Sequence, residues 1–138
     1  MAATLQLEIV TPEAITYSEA VEMVTLPAVE GEMGVFPMHI PLMTQIIPGE
    51  ITVRKNGQDY FLAVGEGFVE ITGDRVSILT DMAIKAENID EVKAEEARKR
   101  AEARLQERLT DEEVASVNAA LLHSITQLKV KRRNRIGG

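Results

Sequence analysis

The chain has 138 residues, a net charge of −7 and an apolar fraction of 45%, which is enough for one core-forming domain or for a small domain with an appendage. It has no cysteine, which excludes disulfides, thiolate metal sites and a cysteine nucleophile, and its few aromatic residues (4%, no tryptophan) argue against a stacking surface for nucleic acid. The first residues do not resemble a signal peptide, and no apolar run approaches the ~20 residues of a membrane-spanning helix, so we expect no membrane insertion.

Charge divides the chain into two parts. Residues 1–84 hold 12 acidic and 3 basic residues, whereas residues 85–138 hold 10 acidic and 12 basic residues. Such an asymmetry predicts two structural units that meet different partners.

The first part of the chain has the pattern of β-strands. Apolar and polar residues alternate in TLQLEIV (4–10) and, less cleanly, in AVEMVTL (20–26). Asn56-Gly57 is a favoured pair for a type I′ turn and predicts a β-hairpin, and a second hairpin is predicted around Thr72-Gly73-Asp74. Turn signals recur without any helical period between them. We therefore predict an antiparallel β-sandwich or flattened barrel over residues 1–86.

Residues 30–43, EGEMGVFPMHIPLM, interrupt this pattern. Their glycines and prolines disfavour a helix, and their methionines and phenylalanine are too apolar for an ordinary solvated loop. We expect Pro37 and Pro41 to block strand pairing and to keep this edge free for a partner.

A helical period begins near residue 87. Asn88 followed by Glu91 predicts a helix N-cap with a capping-box acid. The predicted apolar stripe of this first helix consists of Ile89, Val92, Ala97, Ala101, Leu105 and Leu109.

A second helix is predicted to begin after Thr110, which forms a capping box with Glu113. Its apolar seam has the heptad spacing 3, 4, 4, 3 and consists of Val114, Val117, Leu121, Ile125 and Leu128. The short connection predicts either an antiparallel hairpin or one continuous rod over residues 87–138. Because the first stripe is rich in alanine, we expect this hairpin to be a mobile arm that docks weakly on the sandwich.

No catalytic motif emerges from the residue pattern. The segments Gly31–Gly34 and Gly65–Gly67 lack the spacing of a phosphate-binding loop and carry a glutamate where a phosphate would lie, so we interpret them as turns. The two histidines, His39 and His123, show no spacing typical of a metal site. Glu30 and Glu32 lack a nearby nucleophile or cleft-forming aromatic residue. The residues alone therefore indicate a non-enzyme with a detachable helical arm.

Several motifs together resemble one family. They are E-G-E-M-G-V-F-P-M-H-I-P-L at Glu30–Leu42, Pro48-Gly49, A-V-G-E-G-F-V-E-I at Ala63–Ile71, and I-D-E-V-K-A at Ile89–Ala94. In this order, and over the whole chain, they resemble the epsilon subunits of F-type (proton-translocating) ATP synthases, whose mitochondrial equivalent is called delta.

This resemblance implies a non-catalytic rotor subunit of the central stalk. The sandwich would contact the gamma subunit and the c-subunit ring and couple ring rotation to ATP synthesis, at the cytoplasmic face of a bacterial inner membrane. No nucleic acid partner and no required cofactor are implied. The implied gamma and c-ring contacts are Glu30, Gly31, Glu32, Met33, Gly34, Phe36, Met38, His39 and Leu42.

The resemblance also implies that the helical arm brakes ATP hydrolysis by extending to acidic segments of the beta subunits, beside alpha. The implied beta contacts are Lys129, Lys131, Arg132, Arg133 and Arg135. Some family members bind a regulatory ATP, which would involve Asp90, Lys93, Ala94 and Arg100 here. Lys93 replaces the arginine of the family motif, and residues 114–127 contain no lysine or arginine, which argues against ATP binding.

Two alternatives remain at the level of sequence. One is a stand-alone β-sandwich binding module with a helical arm. The other is an enzyme that uses a cluster of Glu30, Glu32 and His39, with turnover by the isolated chain.

Overall fold

The computed structural model of the chain describes residues 3–137, with side chains described as far as residue 133. It confirms the predicted fold class, a mainly antiparallel β-sandwich followed by two helices. The strands are β1 Leu5–Val10, β2 Ile15–Val21, β3 Met23–Ala28, β4 Gly31–Val35, β5 His39–Ile46, β6 Gly49–Lys55, β7 Gln58–Val64, β8 Gly67–Gly73, β9 Arg75–Thr80 and β10 Ala83–Lys85. A 3-10 turn, Ala86–Asn88, leads to α1 Glu91–Arg104 and α2 Asp111–Gly137.

The strands form one strongly bent sheet that is nearly closed on itself. The strand order is β10-β7-β6-β3-β5-β8-β9-β1-β2, with β4 paired to β3 outside this path. All pairs are antiparallel except β1 with β9. The edge strand β2 faces β6 and β10 across a seam, where Lys55 pairs with Glu19 and Lys85 lies 5.6 Å from the centre of the Tyr17 ring.

The interior of the sandwich is filled by aliphatic side chains from alternate strand positions. Leu5, Leu7 and Ile9 are buried, as the alternation in β1 predicts, and Val69 and Ile71 of β8, two strands away in the same sheet, join them. Burial of this continuous core stabilises the sandwich independently of the helices.

Both predicted hairpin turns are present. Asn56 and Gly57 have φ values of 54° and 74°, so both central residues of the β6–β7 turn adopt the positive φ that a type I′ turn requires. The β8–β9 turn has Gly73 at φ 54° as its first central residue, where a residue with a Cβ atom would be strained.

The expectation that Pro41 blocks strand pairing is wrong, whereas Pro37 lies in the unpaired turn between β4 and β5. Residues 31–35 form β4, and β5 begins at His39 and pairs with β8. Pro41 lies inside β5, at a register irregularity between His39 and Leu42, so the ladder tolerates a residue without an N–H group. The segment 20–26 is likewise divided between two strands, β2 and β3, rather than forming one.

The start of α1 also differs from the prediction. Asp90, not Asn88, is the N-cap, and its carboxylate accepts a hydrogen bond of 3.1 Å from the backbone N–H of Lys93. Val92, predicted to be on the apolar stripe, is exposed, and Ala94 is buried in its place. The N-cap therefore lies two residues later than predicted, because Ile89 precedes the helix and is buried against the sandwich.

The two helices form an antiparallel hairpin. The predicted capping box is present, with Thr110 N–H donating to Glu113 Oε1 and Glu113 N–H donating to Thr110 Oγ1, both at 3.2 Å. Arg104 contacts Glu113 near the turn (3.2 Å), and Arg132 contacts Glu91 at the open end (3.1 Å). None of the described helices is both long enough and apolar enough to span a membrane.

Candidate partner-binding surfaces

The residues predicted to contact partners occupy opposite ends of the sandwich. Glu30 lies in the β3–β4 turn at one end, and β4 then runs to Val35 at the other end, where the β4–β5 turn carries Phe36 and Met38. The five residues of β4 separate the two turns by about 17 Å at ~3.3 Å per residue. One continuous sequence motif therefore supplies two distinct surfaces.

The first surface is an acidic tip made of residues 30–34. Glu30 and Glu32 are exposed, and Gly31 has φ 127°, a conformation that favours glycine. Met33 differs from its neighbours because its side chain packs against the core. The tip is thus an acidic projection anchored by one partly buried methionine.

The second surface is an apolar patch on β5 and the turn before it. Phe36 and Met38 are 58% and 83% exposed, and they are joined by Ile40, Leu42 and Met43, which are also exposed. A contiguous run of large apolar side chains of this kind is typical of a protein–protein contact. The sequence analysis singled out Phe36, Met38 and Leu42 and missed the other two.

The turn that carries Met38 is held by the neighbouring β8–β9 turn. Met38 has φ 65°, which is unusual for a residue with a Cβ atom, and its backbone N–H donates a hydrogen bond of 3.0 Å to Asp74 Oδ1. His39 Nδ1 lies 2.6 Å from the carbonyl oxygen of Ile40 and donates to it. These contacts fix the backbone of the turn that presents Met38.

The alternative enzyme site is not assembled. His39 begins β5 opposite Gly73, whereas Glu30 and Glu32 lie at the far end of β4, next to the end of β5. Among the described residues, no group of three or more acidic or histidine side chains could hold a metal ion. The proposed acid–base cluster is therefore wrong on distance alone.

A further set of exposed apolar residues escaped the sequence analysis. The strand register aligns Phe68 on β8 with Leu79 on β9, Leu79 with Val10 on β1, and Val10 with Ile15 on β2. Phe68, Leu79 and Ile15 are all exposed, so they form an apolar row across the outer face, next to β5. Only Phe68 gave a signal in the sequence, because it shares the outward phase of Glu70 and Thr72.

The four residues of the predicted ATP site lie on α1 and at its N-cap. Asp90 is used as the N-cap of α1, Ala94 is buried, and Lys93 and Arg100 are exposed. The cleft of about 350 Å³ between the helices is lined by none of them but by Glu95, Arg98, Ile125, Leu128, Lys129 and Arg132. Two of these cations, Arg98 and Arg132, are already paired with glutamates.

We expect the isolated chain to bind ATP no more tightly than about 1 mM, because Lys93 lacks the bidentate guanidinium of the family's arginine, and Arg98 and Arg132 of the cleft are already paired with glutamates. Isothermal titration calorimetry with ATP checks this value. The variant Lys93→Arg, which has the arginine of the family motif, is the matched control. A micromolar Kd for the unmodified chain would contradict this expectation.

The basic end of α2 contacts the chain's own acceptors. Lys131 Nζ donates to the carbonyl oxygen of Ala86 (3.1 Å), and Arg132 lies 3.1 Å from Glu91 and 3.4 Å from Glu95. Arg133 forms a 2.7 Å ion pair with Glu50, and its guanidinium lies 5.6 Å from the centre of the Phe61 ring. Lys129 is exposed and makes no ion pair within the described part of the chain, and the side chain of Arg135 lies outside it.

Comparison with protein families gives two matches along the chain. The family of the ATP synthase delta/epsilon chain matches with its β-sandwich domain at residues 4–86 and with its long α-helix domain at residues 87–132. Together they span almost the whole chain.

Individual relatives agree with the family matches. The chain is 44% identical to the ATP synthase epsilon chain of Herpetosiphon aurantiacus, covering 95% of this chain and 98% of the relative. It is 41% identical to the epsilon chain of Dehalococcoides mccartyi, with 96% of each covered. Among solved structures, a chain of the Euglena gracilis mitochondrial ATP synthase has the same fold (TM-score 0.66, 24% identity, 98% of this chain and 81% of that chain covered).

Proposed function

The chain belongs to the ATP synthase delta/epsilon family, and on that premise we propose that it is a rotor subunit of the central stalk that couples rotation of the c ring to the gamma subunit. As a delta/epsilon chain it is a non-catalytic subunit of the synthase. The observation that carries the proposal is the separation of the acidic tip from the apolar patch at opposite ends of β4, which gives the sandwich two chemically different surfaces.

The acidic tip suits a polar partner. Glu30 and Glu32 are exposed in the β3–β4 turn and at the start of β4, next to Gly31 and the partly buried Met33. Carboxylates in this position favour the polar and basic groups of a partner's loops and repel other acidic surfaces. We assign this tip to the polar loops of the c ring.

The apolar patch suits a partner that stays bound. Phe36 and Met38 present large apolar side chains beside Ile40, Leu42 and Met43, and the apolar row adds Phe68, Leu79 and Ile15 across the same sheet. Interfaces of obligate complexes are more apolar than other protein surfaces. We assign this face to gamma, which would cover it permanently.

The helical arm is proposed to brake ATP hydrolysis by leaving the sandwich and contacting acidic segments of beta. The support for this role is the concentration of cations near the end of α2, at Lys129, Lys131, Arg132, Arg133 and Arg135. An α-helix of the 27 residues that α2 contains is about 40 Å long and could reach well beyond the sandwich.

Fractionation of cells tests the proposed assembly. We expect the chain to sediment with membranes that contain the complex and to appear in the supernatant when gamma is deleted, because the sandwich has no contact with lipid of its own. A chain that sediments equally without gamma, or that never sediments with membranes, would contradict the assignment.

A further inference from the structure

We propose that Glu50 and Asp81 of the sandwich form a latch that holds the helical arm down, and that the latch occupies the same basic end of α2 that the arm would present to an acidic partner. This inference rests on the proposed brake for its effect on ATP hydrolysis. The latch itself is defined by contacts between the arm and the sandwich.

The first latch contact joins Arg133 of α2 to Glu50 of β6. Glu50 faces outward under α2, and only 15% of its side chain is exposed. Burial raises the pKa of the Glu50 carboxyl above its ordinary value, Arg133 opposes this shift, and the charge of Glu32 adds to it. A largely buried carboxylate is stabilised by a paired cation, so removal of either Glu50 or Arg133 weakens the docking of the arm on the sandwich.

The second latch contact joins His123 of α2 to Asp81, which follows β9. His123 Nε2 donates to Asp81 Oδ2 across 3.2 Å, and the site depends on Gly65. A Cβ atom at Gly65 would lie 1.9 Å from Asp81 Oδ1 and 3.0 Å from His123 Nε2. Gly65, Asp81 and His123 come from three separate segments of the chain, and the absence of a side chain at Gly65 leaves room for the Asp81–His123 pair.

Between the two contacts lies a small apolar interface. Val130 of α2 is buried against Ala63, Ala86 and Ile89, and Lys131 donates to the carbonyl oxygen of Ala86. Phe61, Met82 and Ile84 pack against the same cluster, so this interface supplies the apolar, non-directional part of arm docking. The polar contacts at Glu50 and Asp81 therefore determine a large share of the arm's position.

The latch and the predicted partner compete for the same groups. Arg133 cannot pair with Glu50 and with an acidic segment of another subunit at once, and Lys131 is engaged by the carbonyl oxygen of Ala86. Arg132 instead pairs with Glu91 of α1, inside the arm itself. Lys129 differs, because it is exposed and makes no ion pair in the described part of the chain. The arm must therefore leave the sandwich before Lys131 and Arg133 become available to a partner.

The variants Glu50→Gln and Asp81→Asn test the latch in the isolated full-length chain. We expect amide hydrogen exchange in residues 121–130 of α2 to become roughly tenfold faster in each variant, because each loses a charged hydrogen-bond partner of the arm. Glu13→Gln removes the same charge from an exposed position between β1 and β2, far along the chain from any arm contact, and is the matched control. Exchange that is as slow as in the control would overturn the latch.

ATP hydrolysis by the assembled complex that contains the same variants distinguishes the proposed latch from the proposed brake. A released arm should brake more strongly, so Glu50→Gln and Asp81→Asn should lower ATP hydrolysis, the opposite of removing the arm. Faster exchange with lower hydrolysis supports both proposals. Faster exchange with unchanged hydrolysis supports the latch and overturns the brake.

Discussion

Removal of residues 87–138 is expected to raise ATP hydrolysis by the assembled complex about fivefold or more, while assembly and ATP synthesis continue. A regulatory coupling of ~1–3 kcal/mol corresponds to about 5- to 150-fold in the affected equilibrium. The sandwich should survive this truncation, because its core is formed by β1–β9 and contains no residue of the helices. The measurement is the steady-state rate of ATP hydrolysis by purified complex with and without the arm.

The truncation needs a control, since it uncovers Phe61, Met82 and Ile84, which pack beneath α2. Lys129→Gln removes one predicted beta contact that makes no ion pair in the described part of the chain, and it adds no acid to the groove that Lys129 shares with Glu50. We expect it to raise hydrolysis in the same direction by a smaller factor. Reversing all the basic residues is less informative, because Lys131 and Arg133 also hold the arm on the sandwich. If the truncated complex hydrolyses ATP no faster than the intact one, this chain does not act as a brake.

Phe36→Asp and Met38→Asp are each expected to weaken co-purification with gamma and the c ring by about 30-fold or more in affinity. The loss of a buried apolar anchor at an interface costs ~2 kcal/mol or more, and an unpaired carboxylate in its place adds to that cost. Both side chains are exposed in the isolated chain, so neither change disturbs the core. Affinity purification of the complex, with the recovered subunits quantified, measures the effect.

Val92→Asp is the matched control for this experiment. It makes the same kind of change at an exposed apolar residue, but on the outer side of α1. The melting temperatures of all three variants should remain close to that of the unmodified chain, because no buried residue changes. If Phe36→Asp and Met38→Asp co-purify with gamma as well as Val92→Asp does, the apolar patch is not the gamma contact.

Local sequence patterns predicted the fold where the signal lies within a few residues. The Asn56-Gly57 turn, the alternation in β1 and the Thr110–Glu113 capping box all appear as expected, since each depends on neighbours in the chain. The strand β5 was missed because Pro41 argues against pairing, and only the distant partner β8 shows that a bulge accommodates it. The N-cap was misplaced because Ile89 packs on the sandwich rather than between the helices.

The candidate site was predictable only in part for the same reason. The exposed side chains of Phe36 and Met38 follow from a local run of apolar residues among glycines and prolines. The apolar row of Phe68, Leu79 and Ile15 depends on the parallel pairing of β1 with β9, which joins segments about 70 residues apart and leaves no local mark. The latch pairs, such as Arg133 with Glu50, are likewise visible only in three dimensions.

Electron cryomicroscopy of the intact complex tests the central proposal most directly. Our account predicts that residues 30–34 lie against the loops of the c ring, that Phe36, Met38 and Phe68 are buried against gamma, and that the arm lies either on Glu50 and Asp81 or along gamma towards beta. A complex in which the apolar patch and the acidic tip both face solvent would contradict it.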